Sequence, residues 1–113
     1  SARITQLWGD SAAFDYAPYR GRMDFVFVDG AHSEAYVAND TARALELLRP
    51  EGGMIAWHDA TRYGVRPFLT RYRRETGLPL RVVASTALAV AARRQGRFVD
   101  PVAYARSIRR GGG

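Results

Sequence analysis

Two short apolar runs limit what this chain can fold into. "DFVFVDGAH" (residues 24–32) sets Phe25, Val26, Phe27 and Val28 in succession and stops at Asp29 and Gly30. "GGMIAWHDA" (residues 52–60) runs from Met54 to Trp57 and stops at His58 and Asp59. Successive strand residues point to opposite faces, so a run that is apolar on both faces needs cover on both. That is the pattern of a central parallel strand between helical layers. The chain has only two histidines, His32 and His58, and each lies just past one of these runs.

The intervening sequence supplies the helices. Ser33 is placed as an N-cap, with Glu34 in a first turn where the helix dipole favours an acid. Val37, Thr41, Ala44, Leu45 and Leu48 then recur at helical spacing, and Pro50 with the following glycine pair ends the helix. "TRYGVRPFLTRYRRETG" (residues 61–77) predicts a second helix, with Val65, Phe68, Leu69 and Tyr72 inward, Pro67 near its first turn and Gly77 as its stop. "RITQLWGDS" opens with a short strand ending at Gly9, Asp10 and Ser11. "LRVVAST" and "LAVAARR" predict two strands with almost no linker, hence an antiparallel pair. Strands alternating with helices in this way predict an α/β layered domain with a mostly parallel, Rossmann-like sheet and an antiparallel terminal hairpin. One domain over residues 1–105 is expected, with residues 106–113 as a flexible tail.

Composition narrows the function classes. With 113 residues there is room for one modest core. There is no cysteine, so disulfides and thiolate metal sites are excluded, and a cytoplasmic setting is expected. No apolar stretch has the length of a membrane span, and no signal peptide is visible. The net charge is +6, and all seventeen basic residues are arginine. These arginines are scattered and accompany no RNA-binding or zinc-finger signature, so specific nucleic-acid binding is not expected. The chain starts at Ser1 and reaches strand-like sequence by Ile4, as if continuing something.

In parallel α/β sheets ligands bind beyond the carboxyl ends of the strands, where Asp10, Asp29, His32, His58 and Asp59 fall. Two carboxylates and an imidazole, Asp29, Asp59 and His58, can hold a divalent cation, and the imidazole tilts the choice toward manganese, iron or zinc. Alternatively Asp29 caps the following helix and His58 is a hydrogen-bonded core residue. An unperturbed imidazole titrates near neutrality, so His32 suits a general base, or else it merely sits at the helix entry. Asp10 can accept a hydrogen bond from an exocyclic amine or serve as a turn residue.

"GDS" (residues 9–11), "DFVFVDGAHSEAYVANDTARALELLRPEGGMIAWHDA" (residues 24–60) and "GVRPFL" (residues 64–69) together resemble the second half of a class I S-adenosylmethionine-dependent methyltransferase. The nearest subgroup is a bacterial one reading DG-x-H-S-Y-x-x-V, then L-x-P-G-G and HD, and the resemblance covers residues 4–93. It implies a sheet order of 3-2-1-4-5-7-6, with residues 4–9, 24–28 and 54–57 as strands three, four and five. It implies that Asp10, with Ser11 beside it, meets the adenine amine, and that Asp29 faces the sulfonium and the acceptor. It also implies that Asp29, His58 and Asp59 bind magnesium or manganese and that His32 deprotonates an acceptor hydroxyl. The sequence departs from the family at His58, where Asp or Glu is usual, and in having no G-x-G-x-x-G loop. The N-terminal half of the methyltransferase fold is therefore expected to be missing.

The resemblance implies O-methylation of a small hydroxylated molecule; a non-catalytic binding module on the same fold is the alternative, and an oligomer is left open. The isolated chain is expected to be poorly stable and to bind S-adenosylmethionine weakly or not at all. Residues 4–8 are expected either as an unpaired ribbon or paired directly beside Phe25–Val28.

Overall fold

The computed structural model describes residues 4–7, 20–28, 33–58, 65–83 and 86–110. The elements are β1 (Ile4–Leu7), β2 (Phe25–Val28), α1 (Glu34–Leu47), β3 (Gly52–Trp57), α2 (Val65–Thr76), β4 (Arg81–Val82), β5 (Ala89–Arg94), β6 (Arg97–Val99) and α3 (Pro101–Arg110). They form an α/β fold around one mixed sheet of order β1-β2-β3-β5-β4. β1, β2 and β3 pair in parallel, whereas β5 is antiparallel to β3, β4 and β6. Only β5 therefore runs against the others. β4 lies along the Ala89–Val90 half of β5 and β6 along its Ala92–Arg94 half, so the two share one side of that strand.

Of the two expected outcomes for residues 4–8, the structure has the second. β1 pairs directly with β2, from Ile4 beside Phe25 to Leu7 beside Val28. The order β3-β5-β4 matches the expected 5-7-6 arrangement.

Alternation assigns the faces. Val26, Val28, Ile55, Trp57, Ala89 and Ala91 are buried on one face, together with Val37, Ala44 and Leu47 of α1 and Val65, Phe68 and Leu69 of α2. Full burial of an aliphatic side chain contributes about 1.5–3 kcal/mol, which makes this cluster the main source of stability. The opposite face carries α3 over the amino end of β3, where a methyl group on Gly52 would stand 2.8 Å from Tyr104 Oη. Arg94, the β5 partner of Gly52, lies 5.1 Å from the Tyr104 ring centroid, a cation–π distance.

The helix ends follow local rules. Ser33 Oγ accepts from the Tyr36 N–H at 3.2 Å, with Ser33 in extended backbone, as an N-cap requires. Pro67 lies in the first turn of α2, and Gly77 (φ +67°) ends that helix. The last turn of α1 has no basic residue of its own. Arg93 supplies the missing cation from β5, donating through Nη2 to Leu45 O at 2.8 Å and Leu48 O at 3.4 Å. A cation at the carbonyl end opposes the helix dipole there and fastens α1 to the sheet. Burial pulls the Arg93 pKa below the usual arginine range, and the nearby Tyr72 hydroxyl opposes that shift. Burial likewise raises Tyr72 above the ordinary tyrosine value.

β6 and α3 are additions to the sequence expectation. A two-residue turn, Gln95 (φ 51°) and Gly96 (φ 79°), joins β5 to β6 with both residues left-handed, as a tight hairpin demands. Asp100 then caps α3, its carboxylate accepting from Val102 N–H while Pro101 opens the helix. Residues 106–110, expected as part of a tail, are helical. No helix among the described residues is long and apolar enough to cross a membrane.

Gly53 is where β3 passes closest to α1. A methyl group there would stand 2.7 Å from Leu48 Cδ2 and 3.1 Å from Asp24 O. Gly53→Ala is expected to destabilise the fold by about 1–3 kcal/mol through overpacking. Urea unfolding checks this, as a lower midpoint with an unchanged slope.

Candidate functional site

The registers of β1, β2 and β3 place Leu7, Val28 and Trp57 in one row across the sheet. Adjacent strands are about 4.8 Å apart, so three chain segments leave the sheet within about 10 Å of one another. Their first residues are Trp8, Asp29 and His58. The parallel arrangement of β1–β3 therefore gathers the carboxyl ends that carry all the residues singled out above.

His58 is the one predicted site residue that falls among the described residues. Its backbone N–H donates to Val28 O at 2.9 Å, which extends the β2–β3 ladder one step past β3. Its side chain is exposed, and its ring centroid lies 6.1 Å from that of Phe27 at a tilt of 40°. The core reading of His58 is thereby excluded: the imidazole stands at the mouth of the sheet. Asp10, Ser11, Asp29, His32 and Asp59 lie outside the described residues. The N-cap of α1 is Ser33, as the sequence predicts. Among the described residues there is no group of three histidines or acids able to hold a metal ion.

The row is anchored from beneath. The Trp57 side chain is fully buried, and its indole N–H donates to Thr41 Oγ1 of α1 at 3.0 Å. This bond ties the end of β3, which leads into His58, to the helix that begins two residues after His32. Thr41 was legible as a core position, but its hydroxyl partner was not. Asp40, one position earlier on the inward stripe, is a fully buried carboxylate that sequence reasoning missed. It stands three residues after Val37, and that helical period was the available signal. A carboxylate so buried must be hydrogen-bonded or paired, and Asp40 is not free.

The amino ends of β2 and β3 are tied to each other by side chains. Arg49 bridges Asp24 at 3.1 Å and Glu51 at 2.9 Å, and Arg49 N–H donates to Met23 O. The hydrogen bond from Arg49 holds the Glu51 carboxyl below its usual range.

A family model described as a methyltransferase domain matches residues 1–60, more than half of the chain. No curated protein and no solved structure matches it. The matched span takes in β1, β2, α1 and β3, the elements that build the row.

Thr41→Val leaves the buried Trp57 N–H without a partner, at an expected cost of about 1–3 kcal/mol, whereas Thr41→Ser retains most of the stability. Thermal and urea unfolding of the two variants checks the assignment; equal stability of Thr41→Val and the parent would remove it.

Proposed function

This chain belongs to the methyltransferase-domain family, and from that premise we propose that it forms the acceptor side of a class I S-adenosylmethionine-dependent O-methyltransferase. The acceptor is a small hydroxylated molecule. One observation carries the reading: β1, β2 and β3 end in the single row Leu7, Val28 and Trp57. The segments beyond that row contain three aspartates, Asp10, Asp29 and Asp59, and both histidines of the chain within a few residues. The exposure of His58 supports it, since a core role for that imidazole is set aside. The absence of cysteine is in keeping with a cytoplasmic setting.

S-adenosylmethionine supplies an electrophilic methyl group on a sulfonium sulfur. The protein's task is to hold the acceptor oxygen in line and relieve it of its proton. In the proposed assignment Asp10 accepts a hydrogen bond from the adenine amine, with Ser11 beside it. Asp29 orients the acceptor. His32 takes the hydroxyl proton on a ring nitrogen, a role that its ordinary pKa near 6.5 suits. The chain's own sequence contains no G-x-G-x-x-G loop, so a tight grip on the cofactor's carboxylate and ribose is not assigned to any of its residues.

A second reading of the same edge is favoured by the exposed His58 ring. Asp29, His58 and Asp59 offer two carboxylates and an imidazole, a donor set suited to magnesium or manganese. Such an ion would lower the acceptor hydroxyl's pKa and so lighten the load on His32.

In the intact enzyme, His32→Ala is expected to lower kcat by about 10²–10⁴-fold, with cofactor affinity nearly unchanged. A variant that keeps more than about a third of the parent kcat would remove His32 as the base, given that range. Turnover unaffected by excess chelator would eliminate the metal while leaving methyl transfer in place. A non-catalytic binding module predicts no turnover with any hydroxylated acceptor.

A further inference from the structure

α2 and the β4–β5 edge enclose a groove at the flank of the sheet, two strands from Trp57: Ala89 pairs with Trp57, and Val82 with Ala89. Leu69, Leu80 and Ala89 form its floor, Arg66, Thr70 and Arg73 one wall and Val82 the other, around a cavity of about 150 Å³. Arg66, Thr70 and Arg73 follow i, i+4, i+7 spacing and so share one face of α2. Seven residues of helix rise about 10 Å, which sets the separation of the two arginines along the wall.

Three observations mark this groove. Arg66 sits in the first turn of α2, where the helix dipole disfavours a cation, and that turn contains no acid. Helix stability accounts for Arg73 in the last turn but not for Arg66. Second, among the described residues neither arginine has an ion-pair partner, whereas Arg71 pairs with Glu34 and Arg81 with Asp100. Third, β4 is the last strand in the sheet order. Val83 gives its N–H to Leu88 O at 2.9 Å, so by antiparallel alternation Val82 turns its own N–H and C=O to the open side. Val82 is 58% exposed and Val83 40%. An edge strand with exposed valines is normally covered or blunted by charge; here the only charge on β4, Arg81, is engaged by Asp100.

We propose that this edge docks an acidic segment of another protein in extended conformation. Its backbone pairs with Val82, an apolar side chain enters the cavity, and flanking carboxylates meet Arg66 and Arg73. Same-face residues of a strand recur every 6.5–7 Å or so, so an acid-x-apolar-x-acid pattern spans about 13 Å. Two long guanidinium side chains about 10 Å apart on the helix can bracket that span. This is strand addition to a sheet edge, with backbone bonds for affinity and alternate side chains for selectivity. A second copy of the chain is a poorer occupant, because it would bring its own arginine row to a protein of net charge +6. The proposal does not depend on the methyl-transfer reading.

The test is fluorescence polarisation of the full chain with a labelled pentapeptide of glutamate, serine, valine, serine and glutamate. Saturable binding is expected, weakening as salt rises, and at least tenfold weaker for the double variant Arg66→Glu, Arg73→Glu. Both side chains are on the solvent face, and circular dichroism confirms that the variant is folded. The milder Arg66→Gln should weaken binding about threefold, and a lysine-for-glutamate peptide should not bind. Equal binding of the lysine peptide, or parent affinity in the folded double variant, would overturn the proposal. So would a concentration-dependent dimer in sedimentation that Val82→Asp abolishes, which would assign the edge to a second copy.

Discussion

Everything at the candidate site depends on three strands ending level. The parallel pairing of β1 with β2 and β2 with β3 sets Leu7, Val28 and Trp57 side by side. Had β1 slipped by one residue, its side chains would have changed faces and its exit would have moved off the row. Cover for the apolar strands then comes from α1 and α2 on the face of Val26, Ile55 and Trp57, and from α3 on the other face over Gly52 and Arg94, which leaves Phe25 and Phe27 half-buried.

Two polar contacts, one buried and one half-buried, hold that arrangement in one geometry. The Trp57–Thr41 hydrogen bond fixes α1 against the carboxyl end of β3, and the Arg93 bonds to Leu45 O and Leu48 O fix its other end against β5. α1 is therefore pinned at mid-length and at its C-terminus by side chains and at its N-terminus by the Ser33 cap. Surface pairs such as Arg81–Asp100 contribute little by themselves. This pair ties β4, whose Val82 lines the proposed docking groove, to the cap of α3.

Much of this was legible in the sequence, for identifiable reasons. The apolar runs at Phe25–Val28 and Met54–Trp57, the Ser33 cap, the helical stripe from Val37 and the Gly77 stop are local signals, and each element formed where they placed it. β6 and α3 were missed although their signals are also local: Gln95-Gly96 as a tight turn, and Asp100-Pro101 as a cap followed by a first-turn proline. The partner of β1 was not decided locally, because strand pairing is a long-range choice. At the site, residue types could be read but surroundings could not. His58 reads equally well as a core or a surface residue until the structure shows its side chain exposed. Asp40 and Arg93 look like surface charges on a linear count, and only the packing of α1 against β3 and β5 buries them or calls on them.

The row itself is the claim on which the account stands, and backbone NOEs in the isotope-labelled chain measure it directly. Parallel pairing of β1 with β2 predicts cross-strand contacts that link Thr5 and Gln6 to Val26 and Phe27, and Leu7 to Val28, together with slow exchange of the paired β1 amides. Rapid exchange throughout residues 4–7 with no cross-strand NOE, or contacts in a register shifted by one residue, would contradict it.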